Sequence, residues 1–569
     1  MAKHRIGIDL GTTNSVVAYT EMGRERAVKV EDNEHLSAIH PSCVAWSTKD
    51  GLLVGQRARR EYASVVREFK RDIGTDKTFV LGGNQYSPVE LSSFVLKSIK
   101  DGFERRVGEV EGAVITVPAN FTDRKRAETK EAGKLAGLDV LRIINEPSAA
   151  AIAYARSSRP PRENTLIIDW GGGTLDVSLI DCLGDILDIK ANDGDERCGG
   201  ADVDAAIVQM ILNRHAKELG GSSDLPAVRW ELLEWAEKIK IHLSAQSVWE
   251  EPVNLKSART FIDPRITRED LNRLLAPLID RVMNAVERCL AKSPEGSVDP
   301  RSVNEILLVG GSCKIPALRR RVTEKFGRDG RADIDPMEVV ALGAAYQAEH
   351  ATRTGSLVTL HSLTHALGTS CVGQDSKGVA RPNLFSPILE AGMKLPATAT
   401  KTYYTVNDNQ TAVNIDVYEA LVPGETVDGM TSWGDATTVD GIPPGPGGSV
   451  AIELTFNYSL EQELSVGVNI PAHGIKRTWK AQHRSELEGR RSESQRKVDS
   501  LHERTLAPLR DLVRSARSRS QKFDRIAQGA LADLEAAVSS NDIEKAKEAK
   551  ARLVDALFEL GISLEDGKE

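Results

Sequence analysis

The chain is poor in cysteine, in long apolar runs and in excess charge of either sign. Of 569 residues only six are cysteines (Cys43, Cys182, Cys198, Cys289, Cys313 and Cys371), with no CxxC pair and no histidine at metal-ligand spacing. That argues against a zinc module or a disulfide scaffold and for free thiols in a reducing compartment. No apolar stretch approaches the roughly 18 to 20 residues that cross a bilayer. The polar residues 1–5 run straight into the first strand, without the apolar region of a signal peptide. With 74 basic against 82 acidic residues the formal charge is −8, which argues against a general nucleic-acid binder. These absences predict a soluble cytoplasmic protein with no nucleic acid and no membrane among its partners. Its length predicts three or more domains.

What is present is a repeated pattern. Ile6-Gly7-Ile8-Asp9-Leu10-Gly11-Thr12-Thr13 returns as Leu166-Ile167-Ile168-Asp169-Trp170-Gly171-Gly172-Gly173-Thr174. Each copy is an apolar strand, an Asp, one spacer and a turn of Gly and Thr. Glycine lets main-chain N–H groups turn onto an anion, so each copy is a candidate phosphate cradle, and two copies suggest a nucleotide gripped from both sides. One Gly-Thr turn alone would read equally well as a tight hairpin. An Asp beside such a cradle is electrostatically odd unless a cation lies between, and Mg²⁺ is held in this way by one or two carboxylates plus phosphate. Asp9 and Asp169 are therefore candidates to hold Mg²⁺ through water, with Thr12, Thr13, Gly172, Gly173 and Thr174 on phosphate. A third glycine turn, Val309-Gly310-Gly311-Ser312-Cys313-Lys314, could cradle adenosine, and Gly199-Gly200 is a fourth that a plain turn explains nearly as well.

From residue 5 to about 350, β-rich runs alternate with helical patterns, as in an α/β domain. Strands are expected at 113–117, 166–168, 177–180 and 305–309, and helices at 123–133, 203–219, 232–246 and 268–291. In the last, Leu271, Leu274, Leu275, Leu278, Val282, Val286 and Leu290 recur at helical spacing. Residues 351–360 read as a connector. Helical periodicity then disappears, with strands expected at 402–406, 412–417, 449–456 and 464–470. Residues 485–560 turn to Ala, Leu, Glu, Lys and Arg and predict helices.

Residues 6–15 and 113–118, the run Ile143-Ile144-Asn145-Glu146-Pro147-Ser148-Ala149-Ala150-Ala151, and residues 169–176 and 309–316 together resemble the nucleotide-binding domain of the seventy-kilodalton heat-shock chaperones of the DnaK type. The resemblance implies an α/β actin-like ATPase domain of two lobes with a duplicated core, followed by a β-sandwich and a C-terminal α-helical segment. The implied boundaries are 1–350 for the ATPase, 351–360 for the linker, 361–475 for the peptide-binding sandwich and 476–569 for a helical lid. It implies ATP and ADP with Mg²⁺, and K⁺ as a further cation. Unfolded or extended client polypeptides, a J-domain co-chaperone and a nucleotide exchange factor are the implied partners.

Residue roles follow from the same resemblance. Phe69-Lys70-Arg71 matches the segment whose Lys lies beside the γ-phosphate. Glu146 and Asp176 match acidic residues around the metal-bound water, and with Lys70 and Thr174 they form the implied catalytic set. Gly11, Gly171, Gly199, Gly200, Gly310, Gly311, Ser312 and Lys314 join the nucleotide contacts. Glu237, Lys240 and Ser244 match the adenosine-contacting helix, although a bare i, i+3 pair would mean only a surface salt bridge. Pro118 and Arg126 match the proline switch and arginine relay. Val413 falls at the central peptide pocket and Val406 at the arch above it; without the family both are simply inward-facing strand residues.

The chain also departs from the pattern. Lys314 stands where the family usually has Arg, Met337 where it has Asp, and Asn120 where it has Tyr, and Leu357-Val358-Thr359-Leu360 lacks the linker's acidic residue. A lysine cannot stack on adenine as a planar guanidinium does. The resemblance thus points to a short, divergent bacterial member. Two other classes share the actin-like core, a small-molecule (sugar) kinase and a filament-forming ATPase, and neither has use for the residues after 350.

Overall fold

A computed structural model describes residues 3–481 except 32–37, 62–63, 158–159, 184–185, 222–224, 294–295, 352–357, 361–362, 364, 375–379, 421–425, 428–429, 434–435 and 460–462. The helices expected over 485–560 lie outside the described residues.

The chain is mixed α/β, and its sequence repeat is a repeat of geometry. In the first sheet Lys3–Asp9 pairs antiparallel with Asn14–Glu21 across the Gly-Thr turn and parallel with Glu109–Val117. In the second, Thr165–Trp170 pairs antiparallel with Leu175–Leu183 and parallel with Glu305–Val309. Asp9 therefore ends its strand and Asp169 stands one residue before the end of its own, each next to the turn. Helices Glu146–Ala155 and Val339–Glu349, both rich in alanine, share a core with residues of the two sheets, among them Val114, Ile167 and Leu307. Small residues are required there: a Cβ on Gly7 would lie 2.0 Å from the Ala345 nitrogen.

A larger core lies under the second sheet, where helices Gly200–Arg214, Pro226–Ala245, Arg268–Ala291 and Pro316–Phe326 bury their apolar faces. Arg268–Ala291 has the expected bounds, because Thr267 and Asp270 form a reciprocal capping box and the apolar positions face one side. The helix expected over 203–219 starts earlier, where the Asp202 carboxylate accepts the Gly199 N–H, and breaks at His215 (φ −112°, ψ 23°) before the short turn Ala216–Leu219.

The end of the expected connector is a strand, Val358–Leu360, paired parallel with the start of Ile186–Asp195 at the edge of the second sheet. Beyond it the described chain is all β, with two four-stranded sheets contributing to one core around Leu454, Phe456 and Val466. The strand expected at 402–406 runs instead over Ala397–Tyr404, because the Val406 N–H is taken by the Gln410 side chain. The segment expected to turn helical at 476 continues as the strand Ile475–Lys480, whose Lys476, Arg477 and Lys480 suit its place at a sheet edge. All six cysteines are free thiols, and no helix among the described residues is long and apolar enough to cross a membrane.

Candidate functional site

The two Asp-bearing turns face each other across a cavity of about 460 Å³, lined by Asp9, Gly11, Thr12, Thr13, Lys70, Glu146, Asp169, Gly171, Gly172, Gly173 and Thr174. Their approach is close enough to demand glycine: a Cβ on Gly172 would lie 2.2 Å from Thr13 Oγ1. The second turn is closed by Gly171 N–H donating to the Thr174 carbonyl at 3.0 Å. Thr13 Oγ1 is buried with no hydrogen-bond partner, which suits a hydroxyl facing an anionic ligand.

Charge in this cavity is lopsided. Lys70, on the tight turn Phe69–Asp72, is buried and donates to Glu146 Oε1 at 2.7 Å. Around that pair lie Asp9, oriented by Thr116 Oγ1 at 3.1 Å, and the buried Asp169 and Asp176, opposite each other in the register of their strands. Burial, and then the neighbouring Glu146 charge, push Asp9 up to about 7 and Asp176 up to about 8. The same causes, with Asp176 and Asp9 added, hold Asp169 well above the usual carboxylate range. Four carboxylates against one ammonium is a site short of positive charge, and an oxygen-rich set of this kind fits a hydrated divalent cation.

At the other end of the cavity stand Gly200, Glu237, Lys240, Ser244, Gly310, Gly311, Ser312 and Lys314. Glu237 and Lys240 do not pair with each other. Lys240 reaches Asp204 at 2.8 Å and the Gly200 carbonyl at 3.2 Å, while Glu237 is held by Arg59. Ser312 Oγ donates to the Gly171 carbonyl at 2.8 Å, tying the third glycine turn to the second. Lys314, half exposed, pairs with Asp335 at 2.9 Å, and the Met337 side chain flanks Gly311. Gly199 is not in the lining but lies behind the second turn, where a Cβ would come within 2.6 Å of the Gly173 backbone.

Several neighbours of the site were not expected. Arg71 Nη2 donates to the Gly173 carbonyl at 2.5 Å and to Asp202 at 2.9 Å, joining the Lys70 turn to the second cradle. Arg59 and Arg67 reach across to Glu234 on the helix Pro226–Ala245, and Arg67 also lies over the Trp230 ring. Arg71 lies within the Phe69-Lys70-Arg71 motif, beside Lys70, and is legible there; pairs between distant segments leave no local signal.

Pro118 is buried directly after the strand Glu109–Val117, and Arg126 is buried on the helix Asp123–Leu135. The guanidinium of Arg126 donates to the carbonyls of Phe121 and Ala119 and to Asn145 Oδ1 at 2.6 Å, next to Glu146. Val413 is half-buried against the all-β core and pairs with Val439, whereas Val406 is 53 % exposed on the loop after Tyr404.

A duplicated sheet closing on a cavity that is lined by glycine turns, with Lys70 the one buried cation among the carboxylates at one end, defines a nucleotide-binding protein. The comparison with known families says of which kind: the Hsp70 protein model matches residues 5–80 and 77–562, and the chain belongs to that family. It is 37 % identical to Chaperone protein DnaK of Cenarchaeum symbiosum over 480 residues, 81 % of this chain and 70 % of that one. It is 36 % identical to the protein of the same name from Nitrosopumilus maritimus over 81 % of this chain and 72 % of the relative. For the Thermotoga petrophila protein the figures are 34 %, 80 % and 76 %.

Proposed function

We propose that this chain is an ATP-dependent chaperone in which the described cleft binds and hydrolyses ATP and the all-β segment binds extended apolar peptide. Family membership carries the chaperone and ATPase reading, and nothing favours a sugar kinase. The observation that supports the cleft as the ATPase centre is the buried Lys70 ammonium among the lining carboxylates Asp9, Glu146 and Asp169, with Asp176 buried behind them, between two threonine-bearing turns. The layout proposed is an actin-like ATPase over 1–350, a linker, a β-sandwich that continues to Lys480, and a helical lid beyond.

Asp9 and Asp169 would hold Mg²⁺ through water, and the ion, when bound, would neutralise phosphate charge. The Gly11–Thr13 and Gly171–Thr174 turns bind phosphate oxygens through N–H and hydroxyl groups. Lys70 stabilises charge developing on the transferred group, and Glu146 fixes its ammonium. Asp176 orients the attacking water, and Thr174 positions the terminal phosphate. Phosphoryl transfer needs little more than such positioning and electrostatics. Glu237, Lys240, Ser244, Gly310, Gly311, Ser312 and Lys314 receive adenosine; Lys314, drawn towards Asp335, grips adenine less firmly than a stacked arginine. Pro118 and Arg126 transmit nucleotide state, since Arg126 reaches Asn145 beside Glu146.

Peptide binds extended along the sandwich, with main-chain hydrogen bonds giving affinity and the Val413 pocket and Val406 arch giving preference. J-domain and exchange-factor partners and a cytoplasmic location belong to the same reading. The test is ATP turnover by the full chain with and without an apolar heptapeptide: stimulation by peptide is expected. Turnover that responds to a sugar, or polymerisation on adding ATP, would overturn the reading.

A further inference from the structure

Away from the cleft, ionisable groups gather where the all-β segment meets the helix Asp123–Leu135. Tyr458 donates its hydroxyl to Asp123 Oδ1 at 2.5 Å, and the Asp123 N–H points to Glu419 Oε1 at 3.4 Å. Glu419 Oε1 lies 2.9 Å from His365 Nδ1, with the two side chains 3 % and 4 % exposed. Arg126, one turn along the helix, has Asp123, Tyr458, Glu419 and Asp176 as the charged or ionisable groups around it. Further along the helix Lys130 faces Glu463, which also holds the exposed Lys480 at 2.6 Å.

The charges of this cluster do not cancel. Asp123 and Glu419 bring two carboxylates, while the only permanent cation among them is Arg126, already shared with Asp176. Burying an uncompensated charge is costly, so the assembled cluster calls for one further proton, with Asp123 the carboxyl group pressed hardest by burial and by its Glu419 neighbour. Glu419 Oε2 is buried without a hydrogen-bond partner, so the charge beside Asp123 is itself poorly compensated. We propose that seating the all-β segment on this helix takes up a proton, which makes the Asp123–Tyr458–Glu419–His365 cluster a pH-sensitive latch between the two parts of the protein.

The sign follows from the two states. Burial and the Glu419 charge push Asp123 up to about 7 in the seated form. Separated, the Asp123 side chain returns to the ordinary aspartate value of about 3.9. Between about pH 4 and pH 7 the separated form has lost the Asp123 proton that the seated form retains. Seating therefore weakens as pH rises, by up to about tenfold per pH unit, until the seated cluster itself loses its proton.

Small-angle X-ray scattering of the full-length chain, with and without Mg²⁺ and ATP, reads the compact fraction from pH 5 to 8. That fraction is expected to fall with rising pH. Glu419→Gln removes one carboxylate at nearly constant shape and is expected to keep the chain compact with a flat profile; Asp123→Asn provides the same test at the other partner. A flat wild-type profile, a chain extended at every pH, or a wild-type slope retained in both variants would overturn the proposal. Scattering reads seating without turnover or peptide binding, so each of these failures leaves the chaperone reading standing.

Discussion

Replacing Lys70 with alanine separates what the cleft does for catalysis from what it does for stability. Lys70 is 4 % exposed, its ammonium lies 2.7 Å from Glu146 Oε1, and it is the one cation that offsets burial and repulsion at Asp9, Asp169 and Asp176 alike. Losing a preorganised group aimed at developing charge costs about 10² to 10³ in rate, or roughly 2.7–4 kcal/mol. Leaving its buried partner unpaired costs about 3–5 kcal/mol of stability while that partner stays ionised. The carboxyl groups relieve this by taking up protons, so the stability loss is largest at high pH and shrinks towards pH 5. Acid does not replace the ammonium, so the rate loss persists there. Single-turnover hydrolysis, with ATP binding and thermal unfolding measured on the same Lys70→Ala sample at pH 5.5 and 8, distinguishes the two effects. Hydrolysis within about threefold of wild type would refute the role given to Lys70, where about 10² is expected.

Gly172→Ala places a methyl group 2.2 Å from Thr13 Oγ1, and calorimetry should show nucleotide affinity reduced by about tenfold or more; unchanged affinity would mean that the two turns do not close face to face. Arg67→Ala removes both the contact to Glu234 and the stacking on Trp230, so nucleotide should dissociate roughly three- to tenfold faster by stopped flow, with the difference from wild type shrinking at high salt. Asp9, Asp169 and Asp176 are all raised in the folded chain, so their contribution to stability is complete below the ordinary aspartate range and is lost as pH rises, through about 7 for Asp9 and about 8 for Asp176. Mg²⁺ with ADP favours the ionised carboxylates, so its gain in melting temperature should be larger at pH 8.5 than at pH 6; equal gains would contradict the shared-charge account.

The readable parts of this fold were those written locally. An apolar strand, an Asp and a Gly-Thr turn fit into nine residues, and their recurrence anticipated two sheets of one plan. Residues 268–291 announced themselves through apolar spacing, and the Thr267–Asp270 cap seen in the structure is what fixes the start of the helix. What stayed hidden depends on partners distant in sequence. Arg59 and Arg67 look like solvated basic residues until Glu234 and Glu237 face them, and Glu237 and Lys240 suggest a pair until Arg59 and Asp204 claim them separately. Ile475–Lys480 reads as the start of a polar helix because an edge strand carries charge on the face that a central strand would bury. The His365–Glu419 pair shows no pattern at all in the sequence, since only folding brings the two residues together.

The central claim is that nucleotide in the cleft governs peptide in the all-β segment. The most direct measurement is the release rate of a fluorescent apolar heptapeptide from the full chain, mixed rapidly with Mg²⁺ and either ATP or ADP. Coupling of 1–3 kcal/mol between the sites predicts release about 5- to 150-fold faster with ATP. Equal release rates with the two nucleotides would contradict it.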